Sequence, residues 1–138
     1  MKRIFSGALV AAMMVAAVPA ADAAGFRAPF NYRVNPVNAN VFEVIPRSSG
    51  SGPTIWCAAA DYARRALGAA WTTQVYVARG RGPSVTTNRR SAVHFTITPQ
   101  AAGVTPSGPS LSLNSFRVGD HMSVQAANLQ CDQNPVRW

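Results

Sequence analysis

Three residue types in this 138-residue chain are equipped for chemistry: two cysteines, two histidines, and a set of arginines that far outnumbers the acids. In an exported chain, Cys57 and Cys131 most simply form one disulfide. Closing the 73 residues between them would stabilise the fold by about 4 to 4.5 kcal/mol, less any native strain. The sharper alternative makes Cys57 a nucleophilic thiolate near a helix N-terminus. That role needs a free thiol in an oxidising compartment and a paired histidine, and the sequence indicates neither.

His94 and His121 are the only histidines, and each falls on the strand face opposite its apolar neighbours. On adjacent strands they would converge, with Tyr76 or Ser123 beside them. Two histidines without a carboxylate at useful spacing form a thin ligand set, so ordinary residues of a polar face are the simpler reading. No G-x-S-x-G, H-E-x-x-H or phosphate-loop pattern occurs, and Arg79-Gly80-Arg81-Gly82 lacks the spacing and the Lys of a nucleotide signature. No metal or cofactor is expected, and Asp120 is accounted for by a turn.

The arginine distribution stands out more. Between Tyr62 and Gly119 there is no Asp or Glu, while Arg64, Arg65, Arg79, Arg81, Arg89, Arg90 and Arg117 all lie in that span. If the strands on either side pair, Arg79, Arg81, Arg89 and Arg90 project from one loop at one end of a sheet. Guanidinium forks beside flexible backbone N–H groups make a candidate anion site. Lipid phosphates, acidic glycans or an acidic protein face are the anions to consider. Nucleic acid is disfavoured, because no aromatics interleave on this loop. The ordinary alternative is a solvated loop in a basic protein.

The elements that would position these residues begin after a secretory signal peptide. Met1-Lys2-Arg3 is basic, residues 4–18 are almost wholly apolar, and Ala21-Asp22-Ala23 offers a small-x-small cleavage site. The apolar run is short for a membrane span, and no later stretch approaches ~18 consecutive apolar residues. No cysteine near the cleavage site invites lipid attachment. A buried N-terminal helix is the alternative. Cleavage after Ala23 leaves 115 residues and a net charge of about +7, with every basic residue an arginine. Selection for guanidinium is one explanation of that preference, though genomic bias is the simpler one.

Residues 51–68 form the one convincing amphipathic helix. Ser51 or Gly52 caps it, Pro53 occupies the first turn, and Gly68 suits the left-handed position beyond the last. Ile55, Ala59, Tyr62, Ala63 and Ala66 share a face, with Trp56 and Leu67 on its shoulder. Asp61, Arg64 and Arg65 fall opposite, and Cys57 lies at the edge of the stripe. Strands are expected at 41–45, at 71–78 with Trp71, Thr73, Val75 and Val77 inward, and at 92–98 with Val93, Phe95 and Ile97 inward. A hairpin is expected over 111–118 and 121–127, turning at Gly119-Asp120, bulged near Asn114-Ser115, and burying Met122, Val124 and Ala126.

The expected class is α+β: one amphipathic helix packed on an antiparallel sheet of about four or five strands, with one disulfide. The domain plan is a signal peptide over 1–23, an arm over 24–40 that is in part disordered, a single domain over 41–131, and a tail over 132–138. The segments Trp56-Cys57-Ala58-Ala59-Ala60-Asp61-Tyr62-Ala63, Gly82-Pro83-Ser84-Val85-Thr86, Val93-His94-Phe95-Thr96 and Val118-Gly119-Asp120, with the closing Cys131, resemble a set of small exported bacterial proteins of unassigned function. That resemblance spans 51–131. It implies a single exported two-cysteine domain and carries no activity.

The functional expectation is a small, periplasmic or secreted, non-enzymatic domain acting by surface contact, its partner an anionic envelope surface or an acidic protein. Anion binding through the loop 79–90 is the alternative, and a histidine-dependent enzyme a further one.

Overall fold

The structure, a computed structural model, describes residues 25–48, 50–108 and 112–132. The expectations for the signal peptide, for Leu111 and for the tail beyond Asp132 lie outside the described residues. The strands are β1 (Phe26–Arg27), β2 (Arg33–Pro36), β3 (Phe42–Ile45), β4 (Gln74–Gly82), β5 (Ala92–Thr96) and β6 (His121–Ser123). They form one antiparallel sheet in the order β1-β2-β3-β5-β4-β6. Helix α1 (Gly52–Arg65) packs on one face of it, and a second helix, α2 (Val124–Leu129), packs against α1. The class is α+β, with six strands rather than four or five and two helices rather than one.

Alternation divides the sheet into two unlike faces. Val34, Phe42, Val44, Val75, Val77, Val93 and Phe95 turn toward α1 and are buried in one core. Trp56 lies between Phe95 and Phe116, with ring centroids 5.1 and 6.0 Å away. Tyr62 meets Phe42 at 4.6 Å and Phe26 at 5.3 Å. Truncating a buried aromatic in such a cluster typically costs about 3–5 kcal/mol, so this is where the fold is held.

Helix α1 starts where its sequence requires. Ser51 takes the cap position, Pro53 sits in the first turn, and the Gly52 amide donates to Asn114 Oδ1 at 2.9 Å. A β-carbon on Gly52 would run into the Leu113 carbonyl, so the glycine permits that approach. Gly68, at φ +67°, ends the helix in the left-handed region. Burial extends past one stripe, to Cys57, Ala58 and Ala60 as well, because α2 and the disulfide cover the side away from the sheet. Cys57 is bonded to Cys131 in the 3-10 turn Gln130–Asp132, and no free cysteine remains among the described residues. A thiolate role for Cys57 is thereby excluded.

Four expected segments differ. Residues 121–127 do not form one strand: after Ser123 the chain turns into α2. The Ser123 hydroxyl accepts from the Ala126 amide at 3.1 Å, and the Thr73 and Trp71 carbonyls accept from Val124 N and Gln125 N at 2.8 and 3.0 Å. This serine cap and two outside carbonyls satisfy donors that a helix start leaves open, which lets so short a helix form. Residues 112–118 form no strand, and β6 pairs with β4 instead of closing a hairpin.

The strand expected at 71–78 runs from Gln74 to Gly82, leaving Trp71 43% exposed under the Arg64 guanidinium, 3.5 Å from its ring centroid. Lastly, the segment read as an arm over 24–40 carries β1 and β2, paired into the sheet from Phe26 to Pro36.

Candidate functional site

The outer face of the sheet, turned away from α1, carries Arg27, Arg33 and Ile45 as directly opposed partners across β1, β2 and β3. Arg27 and Arg33 are thus like charges facing each other on neighbouring strands, an arrangement that ordinarily destabilises a sheet. The turn between them explains how they are set. Phe30 and Asn31 both have positive φ, 64° and 60°, which closes β1 onto β2 in a tight reversal. Asn31 then presents Oδ1 to the Arg27 guanidinium at 2.9 Å.

Two more arginines complete the cluster. Arg47 follows β3 through Pro46, and Arg89 reaches in from the loop between β4 and β5, donating to the Pro46 carbonyl at 3.1 Å. Arg27, Arg33, Arg47 and Arg89, with Ile45 and Thr87, line an open concavity of about 230 Å³. Arg27 and Arg89 are tethered, each by a bond that uses one of its five N–H donors. Neither the Arg33 nor the Arg47 side chain makes a hydrogen bond or ion pair among the described residues.

Among the described residues, no carboxylate lines the concavity. Asp61 pairs with Arg65 at 3.3 Å on α1, where burial pushes its carboxyl up against the opposing pull of Arg65 and Arg64. Asp120 accepts from Ser107, Ser115 and the Arg117 amide in the turn before β6.

Glu43 is the acid nearest in sequence, and it is fully buried and committed. It sits on β3 directly opposite His94 of β5, and the loop after β4 folds back over both. Its carboxylate accepts from Ser84 Oγ at 2.7 Å, from Val85 N and Thr86 N at 3.0 Å each, and from the Thr86 hydroxyl. His94 Nε2 lies 3.1 Å from Oε1. Burial pushes the Glu43 carboxyl up, but the bonds from Thr86, Ser84 and the two amides together hold it below the ordinary carboxylate range. His94 is held below its ordinary value, first by burial and then by the Arg79 charge, against the opposing effect of Glu43. The neutral imidazole therefore donates to an ionised carboxylate. This hub fixes the loop that carries Thr87 and Arg89, and so shapes one wall of the concavity.

Of the four arginines expected at one rim, the structure brings only Arg89 here. Because β4 extends to Gly82, Arg79 and Arg81 are strand residues, and register shifts after Val77 and again after Arg79 send them apart. Arg79 lies opposite His94 and braces the bulge by donating to Gly80 O and Ala92 O at 3.3 and 3.2 Å. Arg81 instead reaches Gly50 O at 3.0 Å and stands over the Phe116 ring. Arg90 is exposed on the loop outside the concavity.

The histidines are not brought together either. β4 separates their strands, and His121 bonds Gln74 Oε1 at 2.9 Å and Ser107 O at 3.1 Å. His94, expected on a polar face, is on that face but buried beneath the loop, 8% exposed. Among the described residues, no group of three or more His, Cys, Asp or Glu is placed to hold a metal, and no helix is long and apolar enough to cross a membrane.

Sequence reasoning missed Glu43, Arg27, Arg33 and Arg47 as site residues. Glu43 did leave a signal: it is the one charged side chain inside an otherwise apolar strand. Comparison with protein-family models, with curated proteins and with solved structures finds no match to this chain.

Proposed function

We propose that the chain is exported, loses its first 23 residues, and acts in the periplasm or outside the cell as a non-enzymatic domain that docks onto an anionic partner through the Arg27, Arg33, Arg47 and Arg89 concavity. The observation that carries this reading is four arginines lining one open hollow with no carboxylate in its wall among the described residues. Like-charge pairing of Arg27 with Arg33 costs sheet stability, and an external anion would relieve it. The disulfide and the signal-like N-terminus support the location.

Charges gathered within about 8 Å act together at physiological ionic strength, whereas scattered ones are screened from each other. The disulfide-bonded chain should therefore bind heparin and anionic vesicles, more weakly at high salt. The double substitution Arg33→Gln with Arg47→Gln should abolish most of that binding, while Arg64→Gln with Arg90→Gln, of equal charge change, should leave most of it. Equal losses from the two pairs would show that net charge alone is responsible.

A further inference from the structure

We infer that the concavity is a discrete site for a dianionic phosphoryl group, the terminal phosphomonoester of a small molecule or a lipid headgroup, and not only a sticky basic surface. The inference rests on the anion-docking reading above and gives that site its ligand class.

Charge is the first argument. Four permanently cationic groups line one hollow of about 230 Å³. A singly charged group such as a carboxylate or a phosphodiester would leave most of that repulsion standing. A phosphomonoester carries between about 1.5 and 2 negative charges at neutral pH on three strong acceptor oxygens, concentrated at one end of its molecule.

Donor geometry is the second. Arg27 is held by Asn31 and Arg89 by the Pro46 carbonyl, while the Arg33 and Arg47 side chains make no hydrogen bond or ion pair among the described residues and can turn onto a ligand. Two fixed and two adjustable planar forks match a tetrahedral oxyanion, whose oxygens accept from several guanidinium edges at once. The wall is built as well as charged. Arg27 is aimed by a turn holding Phe30 and Asn31 at positive φ, and Arg89 by a loop locked onto the buried Glu43.

The test compares methyl phosphate with dimethyl phosphate by calorimetry at matched ionic strength, using the disulfide-bonded full chain. The monoester should bind roughly tenfold tighter or more, the factor that a 1.4 kcal/mol difference gives. It should also raise the thermal midpoint, since binding to the folded state alone stabilises it. Arg33→Gln with Arg47→Gln should erase the discrimination while keeping or raising the midpoint of the ligand-free protein, because a like-charge pair has been removed.

Equal affinity for the two esters in the wild type overturns the inference without need of any variant. Discrimination that survives the double substitution in a folded protein overturns it too. If heparin and vesicle binding persist without ester discrimination, anion docking stands and the phosphoryl site falls. If both are absent, both fall. Vesicles of phosphatidylcholine with phosphatidic acid or with phosphatidylglycerol separate the sources. Preference for phosphatidic acid, competed by free methyl phosphate, identifies a lipid headgroup, and monoester binding without vesicle binding identifies a soluble phosphate.

Discussion

Replacing Glu43 by Gln keeps the size of the side chain and changes only what its end can accept. In the native protein Oε2 receives Ser84 Oγ, Thr86 N and the Thr86 hydroxyl, while Oε1 receives Val85 N and faces His94 Nε2. A Gln amide offers one oxygen, so whichever way it turns, an NH2 group confronts at least two of those donors. A bond to a charged group contributes about 1.5–3 kcal/mol, and a buried donor left unsatisfied costs about 1–3. Against that stands relief from burying a charge, which lowers the net. The expected loss is about 2–4 kcal/mol, a large share of a total that is about 5–15 kcal/mol for domains of this kind.

That loss should fall on the loop before it falls on the fold. The donors lie at 84–86, whereas the aromatic core and the disulfide sit on the other side of the sheet. In native-state hydrogen exchange, the Val85 and Thr86 amides should exchange roughly 30- to 1,000-fold faster in the variant, the factor corresponding to 2–4 kcal/mol. Amides of Val93 and Phe95, in the centre of the sheet, should change much less. With its wall loosened, the concavity should also bind phosphomonoester more weakly, although Glu43 does not touch it. If Val85 and Thr86 keep their protection and the denaturation midpoint is unmoved, the carboxylate is not what holds the loop.

Three further outcomes follow from the same structure. Reducing the Cys57–Cys131 bond, or replacing both residues by Ala, should destabilise the protein by about 4 kcal/mol in denaturant titration, because the loop it closes spans most of the domain; a loss under 1 kcal/mol would mean that the reduced chain keeps compensating structure. Stability should be fully present above pH ~6.5 and decline in acid, first as the pH passes below the ordinary value of His94 and again below that of Glu43, since both are held low when folded and take up more protons on unfolding. Arg79→Gln removes one of the two effects holding His94 down, so its imidazole titration by NMR should move up, and an unmoved titration would refute the assignment.

What the sequence disclosed follows the range of the interactions involved. The capping serine, Pro53, Gly68 and the 3.6-residue stripe are local signals, and α1 forms where they lie. Alternation assigned Val93 and Phe95 to the core side and His94 to the other, because side-chain period is a property of the strand itself. The two cysteines needed only a compartment argument. The failures arose where a short segment carried two compatible patterns. Met122, Val124 and Ala126 alternate like a strand, yet only Met122 stays in one, and Val124 and Ala126 start a helix once Ser123 caps it and Thr73 and Trp71 supply carbonyls from elsewhere. At Arg79 and Arg81 two bulges defeat the rule that i and i+2 share a face, and nothing in Ala78-Arg79-Gly80-Arg81-Gly82 places those bulges.

The concavity was hidden for a related reason: its four arginines come from four segments and meet only through pairing. Arg27 joins Arg33 because two consecutive left-handed residues reverse the chain at Phe30-Asn31, in a stretch with no periodicity to read. Arg89 joins them because Glu43, an acid in an apolar strand, draws the loop back across the sheet. One buried negative charge thus brings Arg89 to the other three arginines without neutralising them, since its oxygens are already occupied by loop donors and His94. Had Glu43 instead pointed into the hollow, it would have paired with Arg33 or Arg47 and reduced the field an anion meets. Holding the carboxylate beneath the loop keeps that field available, and the like-charge strain on the outer face is balanced by the aromatic core and disulfide on the other.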